Sequence, residues 1–299
     1  MLIRRPNLFL VGAPKAGTTS LYEYLRGHPD VYMSPVKEPF YFSPDVYQTG
    51  RSRYQYGRDE DSYLDLFSGA AGERLVGEAS THYLASPQAP QLIKSFEPSS
   101  RIVAMLRDPV DVVQAWHNER VLKGIESEAD FAKVVASEAN QPAVYTSIAA
   151  YGSQLERWFA AFDRSAIHVI VFDDFVADPP GQFRLLLEFL GVDPGYQPAS
   201  FAAHNQSSQN RAAASLLRAG PVRAVGRAAK RVVGDATARN IGKRIRNSPL
   251  MRQRRQRPAL SPDVRATLAK RYEREVARAS ELIDRDLAAL WNGHASAAG

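Results

Sequence analysis

The stretch Leu8-Phe-Leu-Val-Gly-Ala-Pro-Lys-Ala-Gly-Thr-Thr-Ser20 decides the fold. Its apolar start, Leu8 to Val11, has the length and continuity of a strand buried on both faces. Gly12 to Gly17 reads as a tight loop, and Thr18 and Thr19 open an amphipathic segment with Leu21, Tyr24 and Leu25 on one face. Strand, glycine loop and helix start form an anion cradle. Backbone N–H groups converge there, and the helix N-terminus adds partial positive charge. The loop nearly fits the nucleotide pattern G-x-x-x-x-G-K-[ST]. Thr18 stands where that lysine belongs, and the lysine lies three residues earlier, at Lys15. A cradle for one terminal anionic group fits this better than the lysine-plus-Mg²⁺ grip on a β/γ-phosphate pair.

Outward from this stretch, short apolar runs recur at Leu75–Val76, Ile102–Leu106 and Ile167–Phe172. Helical patterns alternate with them: Pro87–Phe96 behind a Ser86 cap, Pro109–Leu122 with proline in its first turn, Ile148–Phe162, and Phe183–Leu190 ended by Gly191. The alternation predicts a doubly wound α/β fold, a P-loop-like central parallel sheet flanked by helices. Ligands of such sheets sit at the carboxyl ends of strands, where the loop after Val11 and the turn at Arg107 both lie. Residues 192–260 read as a loop-rich, basic segment. A C-terminal helix is expected over 261–291, capped by Ser261, with Pro262 in its first turn and Val264, Leu268, Tyr272, Val276, Leu287 and Trp291 at helical intervals. The whole chain, 1–299, reads as a single domain.

With 299 residues and 44% hydrophobic content, the chain can bury one large core or two small ones. The absence of cysteine excludes disulfides, thiolate metal sites and a cysteine nucleophile. Strand-like sequence by Leu8 leaves no room for a signal peptide, and no apolar run approaches the ~20 residues of a membrane span. A soluble, cytoplasmic protein is expected. Net charge is +6, concentrated in Arg211–Arg257, where Asp235 is the only acidic residue. That segment is either a solvated basic face or a surface for an anionic ligand or polymer.

The Lys15 loop is followed in order by His28-Pro-Asp30, Lys37-Glu-Pro-Phe-Tyr-Phe42, Gly77-Glu-Ala-Ser-Thr-His-Tyr-Leu84, Leu106-Arg-Asp-Pro109 and Tyr151-Gly-Ser-Gln-Leu155. This series resembles the sulfotransferases that use 3′-phosphoadenosine 5′-phosphosulfate (PAPS), in particular the carbohydrate type related to heparan sulfate sulfotransferases and their bacterial relatives. The resemblance implies transfer of a sulfuryl group from PAPS, as co-substrate and without metal, to a hydroxyl of a glycan or small molecule. No specific nucleic-acid partner is implied.

The same resemblance assigns roles. Lys15 would neutralise charge growing on the bridging oxygen as the nucleotide phosphate leaves. Ala16, Gly17, Thr18, Thr19 and Ser20 would surround the 5′-phosphosulfate with N–H and hydroxyl donors. Glu38 matches the family's general base. It stands beside Phe40-Tyr-Phe42, where desolvation would raise a carboxylate's pKa. His82 is the rival base. Arg107 would fork onto the 3′-phosphate, although the serine expected eight residues later is Ala115, leaving His117 or Gln114 to compensate. Ala79 replaces a lysine frequent in animal relatives. Arg255 is the nearest match to a basic loop that closes over the 3′-phosphate. Tyr47, Tyr54, Tyr56 and Tyr63 offer faces for sugar stacking, or pack on themselves. Two other functions compete: a P-loop nucleotide kinase, and a non-catalytic polyanion-binding module built on the basic segment.

Overall fold

Strand β1 (Leu8–Gly12) is buried along its whole length, as an uninterrupted apolar run requires when both sheet faces are covered. The computed structural model describes residues 4–45, 59–137, 143–201 and 260–296. After β1 come α1 (Thr18–Arg26), β2 (Val31–Met33), α2 (Glu60–Asp65), β3 (Leu75–Ala79), α3 (Ala89–Phe96), β4 (Arg101–Leu106) and α4 (Pro109–Lys123). Then follow α5 (Phe131–Ala136), α6 (Ala143–Ser147), α7 (Tyr151–Ala161), β5 (Ile167–Val171), α8 (Phe172–Ala177), α9 (Pro179–Leu190), α10 (Pro262–Ile283) and α11 (Leu287–Ser296).

Among the described residues the five strands form one sheet in the order β2-β3-β1-β4-β5. Every pairing is parallel: Leu8 lies opposite Gly77 of β3 and Arg101 of β4, Val31 opposite Leu75, and Ile102 opposite Ile167. The expected α/β fold with a central parallel sheet is therefore present. The chain leaves β1 for the outer strand β2, returns through β3 beside β1, and then crosses to β4 on the other side. The strand order switches at β1, and open α/β sheets bind their ligands beyond the carboxyl ends of the strands at such a point.

Four expected strands are found within a few residues, and β2 was missed. It has only three residues, Val-Tyr-Met, too few to show a period. Phe172 belongs to α8 rather than to the strand before it. The C-terminal helix is correctly capped, the Ser261 hydroxyl accepting from the Val264 N–H. It is not continuous, however. Asp284 adopts φ 53° and ends α10, so that Leu287 and Trp291 belong to a second helix, α11.

Helix α10 is bound to α7 through Glu275, whose carboxylate accepts from the N–H and hydroxyl of Ser153 at 2.8 and 2.7 Å. The chain divides into two compact units. One comprises Met1–His117, Asp130–His204 and Ser261–Gly299, the other Asn118–Ala129 and Asn205–Leu260. Of the second unit only 118–129 and Leu260 are described. There the end of α4 turns at Gly124 in the left-handed region, and the Ile125 N–H reaches back to the Arg120 carbonyl at 2.9 Å.

Candidate active site

Lys15 follows β1, Glu38 follows β2, His82 follows β3 and Arg107 follows β4. Since the strands are parallel, these turns emerge at the same edge of the sheet. Phe172, directly after β5, joins them there.

The glycine loop owes its shape to two positions. Gly12 has φ 148°, and a Cβ on it would lie 2.6 Å from the Thr81 carbonyl oxygen; Gly17 has φ 90°, and a Cβ there would press the Phe172 ring at 3.2 Å. Only glycine meets both demands without strain. Gly17 is the N-cap of α1, with no side-chain cap and no acidic residue in the first turn, so no side chain of this turn offsets the positive end of the helix dipole. Lys15 itself sits at φ 65°, a conformation that costs a residue with a side chain on the order of 1–2 kcal/mol. Lys15, Gly17 and Thr19 keep partial exposure, while Ala16, Thr18 and Ser20 are buried.

Arg107 supports this loop. One guanidinium nitrogen donates to the Lys15 carbonyl at 3.2 Å and another pairs with Asp111 at 2.9 Å, while the guanidinium carbon stands 4.6 Å from the centre of the Phe172 ring. Asp111 is shared. Arg265 of α10 donates to its other oxygen at 2.6 Å and to Asp108 at 2.7 Å. Burial pushes the Asp111 carboxyl up, but the two guanidinium groups overcome this and hold it below the usual carboxylate range. Arg265 gave no signal in the sequence, because its partners lie more than 150 residues away. Of the suggested substitutes beside buried Ala115, His117 is fully buried against Phe131 and Tyr145, and Gln114 is 8% exposed.

Glu38 also has a left-handed backbone, φ 64°, as does Phe40 at 59°. The Glu38 carboxylate accepts from Lys37 at 3.0 Å and from the Thr81 hydroxyl at 3.2 Å. Thr81 thus links two parts of the site, its hydroxyl on Glu38 and its carbonyl against Gly12. The side chain of Glu38 is 32% exposed, less desolvated than its aromatic neighbours suggested. His82 is 6% exposed, with Phe40 and Trp116 against it at ring-centre distances of 5.3 and 5.1 Å.

The desolvated carboxylate is Glu78, the penultimate residue of β3 and 0% exposed. Burial pushes it up to about 7, against three hydroxyl donors that favour the charged form. A signal for it existed: a strand buried on both faces, Leu75-Val-Gly-Glu-Ala79, cannot solvate a carboxylate. Tyr63 needs correction as a sugar-stacking candidate. It is 0% exposed and stacked on Tyr41 at 4.3 Å. Arg255, Tyr47, Tyr54, Tyr56 and the basic segment 211–257 lie outside the described residues. Among the described residues no group of three His, Cys, Asp or Glu is placed to hold a metal, and no helix is long and apolar enough to cross a membrane.

Comparison with known proteins agrees with this geometry. A family model described as "Sulfotransferase domain" matches residues 5–214. The crystal structure of a sulfotransferase from Alicyclobacillus acidocaldarius superposes with a TM-score of 0.73 at 29% identity, covering 97% of this chain and 100% of that one. Human bifunctional heparan sulfate N-deacetylase/N-sulfotransferase 3 is 27% identical over 209 residues, 64% of this chain and 23% of that protein. Mouse heparan sulfate glucosamine 3-O-sulfotransferase 3B1 is 26% identical over 192 residues, 62% of this chain and 46% of the relative. The chain thus spans less than half the length of either curated relative.

Proposed function

Because the chain belongs to the sulfotransferase domain family, we propose that it moves the sulfuryl group of PAPS in line to a hydroxyl of a carbohydrate or small-molecule acceptor, without a metal. The observation that carries this reading is the convergence of Lys15, Glu38 and Arg107 at one sheet edge, tied together through Thr81, Gly12 and the Lys15 carbonyl. The acceptor oxygen attacks sulfur, the bond from sulfur to the bridging phosphate oxygen breaks, and the acceptor proton passes to Glu38. Lys15 neutralises the charge arriving on the bridging oxygen, which is the moment at which stabilisation accelerates the reaction. The uncapped start of α1, with Ala16 to Ser20, holds the 5′-phosphosulfate. Arg107 takes the 3′-phosphate.

Both heparan sulfate relatives favour a sugar as acceptor, and the 3-O-sulfotransferase among them favours its hydroxyl. His82 is the second candidate for the base, and its enclosure by Phe40 and Trp116 makes it the weaker one. The test is an acceptor screen with labelled PAPS, read by mass spectrometry for the gain of one sulfuryl group. Glycan and small-molecule hydroxyl acceptors are compared, with and without chelator. Product from ATP and Mg²⁺ but none from PAPS would overturn the reading.

A further inference from the structure

Three backbone N–H groups anchor the segment that carries Glu38, and they alternate along it. The Glu38 N–H donates to the Ala79 carbonyl at 2.8 Å. The Phe40 N–H donates to the Ser80 hydroxyl oxygen at 3.1 Å, and the Phe42 N–H to the Tyr83 hydroxyl oxygen at 3.2 Å. The segment needs such anchors, because Glu38 and Phe40 both lie in the left-handed region and such conformations persist only when the surroundings over-determine them.

Both hydroxyl anchors end on one buried carboxylate. Ser80 donates to Oε2 of Glu78 at 2.6 Å, and Tyr83 donates to Oε1 at 2.8 Å. A third donor, the Tyr63 hydroxyl, reaches Oε1 at 2.9 Å. Glu78, Ser80, Tyr63 and Tyr83 are all 0% exposed, so water does not compete for these bonds. The chemistry gives the arrangement a direction. A hydroxyl has one proton, and Glu78 in its ionised form, which prevails above about pH 7, can only accept. Ser80 and Tyr83 must therefore aim their protons at Glu78, which leaves their lone pairs for the N–H groups of Phe40 and Phe42. Without an acceptor at position 78 each hydroxyl is released to rotate, and the anchors loosen.

We propose that Glu78 is a positioning residue for Glu38: by orienting the Ser80 and Tyr83 hydroxyl groups, it fixes the strained segment 38–42 and so the place of the Glu38 carboxylate at the reacting centre. The link to turnover rests on the sulfuryl-transfer reading above; the anchoring itself does not. Tyr63 supplies an internal control, since it bonds the same carboxylate but holds no N–H of the segment.

The experiment compares Ser80→Ala, Tyr83→Phe, Tyr63→Phe and Glu78→Gln in the full chain by amide hydrogen exchange and by single-turnover sulfuryl transfer. Exchange is expected to rise at Phe40 in Ser80→Ala and at Phe42 in Tyr83→Phe, with neither changed in Tyr63→Phe. Glu78→Gln still accepts from both tyrosines but turns an amide donor toward Ser80, so its loss falls on Phe40 alone. Single-turnover rates should fall about 10- to 10²-fold in Ser80→Ala and Tyr83→Phe, the scale of a displacement of about 1 Å at the reacting atoms. PAP affinity and acceptor KM should stay unchanged. Wild-type exchange at Phe40 and Phe42 in both anchor variants overturns the proposal, and so does a Tyr63→Phe variant as slow as they are. If the wild-type protein transfers nothing from PAPS, the functional reading falls while exchange still decides the anchoring.

Discussion

Arg265 of α10 donates to Oδ1 of Asp111 at 2.6 Å, and the other oxygen of that carboxylate receives Arg107 at 2.9 Å. One carboxylate therefore couples the C-terminal helix to the arginine expected on the nucleotide. Arg107 is held on three sides by Asp111, the Lys15 carbonyl and the Phe172 ring. A guanidinium so held loses little rotamer freedom when an anion binds it.

Arg107→Ala should weaken PAP binding by about 1.5–3 kcal/mol, the worth of a lost charge-assisted contact. Calorimetric titration with PAP checks this. Equal affinities in wild type and variant would remove Arg107 from the nucleotide site.

Arg265→Ala should act chiefly on stability. It leaves Asp108, whose side chain is 4% exposed, without its ion partner, while Asp111 keeps Arg107. Arg265 is itself partly exposed, so the expected loss is about 2 kcal/mol, below the 3–5 kcal/mol of a fully buried pair. Urea unfolding measures it, and a loss under about 0.5 kcal/mol, the usual range of surface substitutions, would show the pair to be idle.

Legibility followed sequence separation. The loop Gly12–Gly17 was readable because its parts are contiguous, and Lys15 and Arg107 each follow an apolar run long enough to be seen as a strand. The strand β2 was not readable, since three residues cannot display a period. The break at Asp284 escaped notice because apolar residues keep helical spacing through Leu287 and Trp291. Arg265 and Glu78 were missed for opposite reasons. The first acts through contacts across most of the chain, and the second stood in plain view as a charge inside a buried strand.

Lys15→Ala should slow the chemical step more than it weakens PAP binding. Its charge counts most once the bridging oxygen has gained charge, and loss of such a stabiliser costs about 10²–10³ in turnover. A variant in which PAP affinity falls as far as kcat would make Lys15 a ground-state anchor instead.

Glu38→Gln keeps the size of the side chain and removes the proton acceptor. Single-turnover rates should drop about 10²–10⁴-fold, with PAP affinity retained and His82→Asn close to wild type. Single-turnover measurement is needed because product release can limit kcat. A fast Glu38→Gln variant beside an inactive His82→Asn would transfer the role of base to His82.

Stability against pH reports on Glu78 and His168 with opposite signs. Glu78 is raised by burial from 4.5 to about 7. Between those values the native protein holds a proton that the unfolded chain has released, so stability falls as pH rises through the window. The full loss, reached above about pH 7, is about 3 kcal/mol at about 1.4 kcal/mol per pH unit. Burial, aided by Arg164, lowers His168 from 6.5 to about 4. Below pH 6.5 the unfolded imidazole takes up a proton that the native one refuses, so this contribution falls as pH drops. Across the overlap the two slopes oppose each other, and the wild-type profile should look flat. Glu78→Gln removes only the first slope. Relative to wild type, the variant should gain about 3 kcal/mol between pH 4.5 and pH 8 in urea unfolding, leaving the acid-side loss from His168 exposed. If the stability difference between variant and wild type stays constant over that range, Glu78 does not change protonation there.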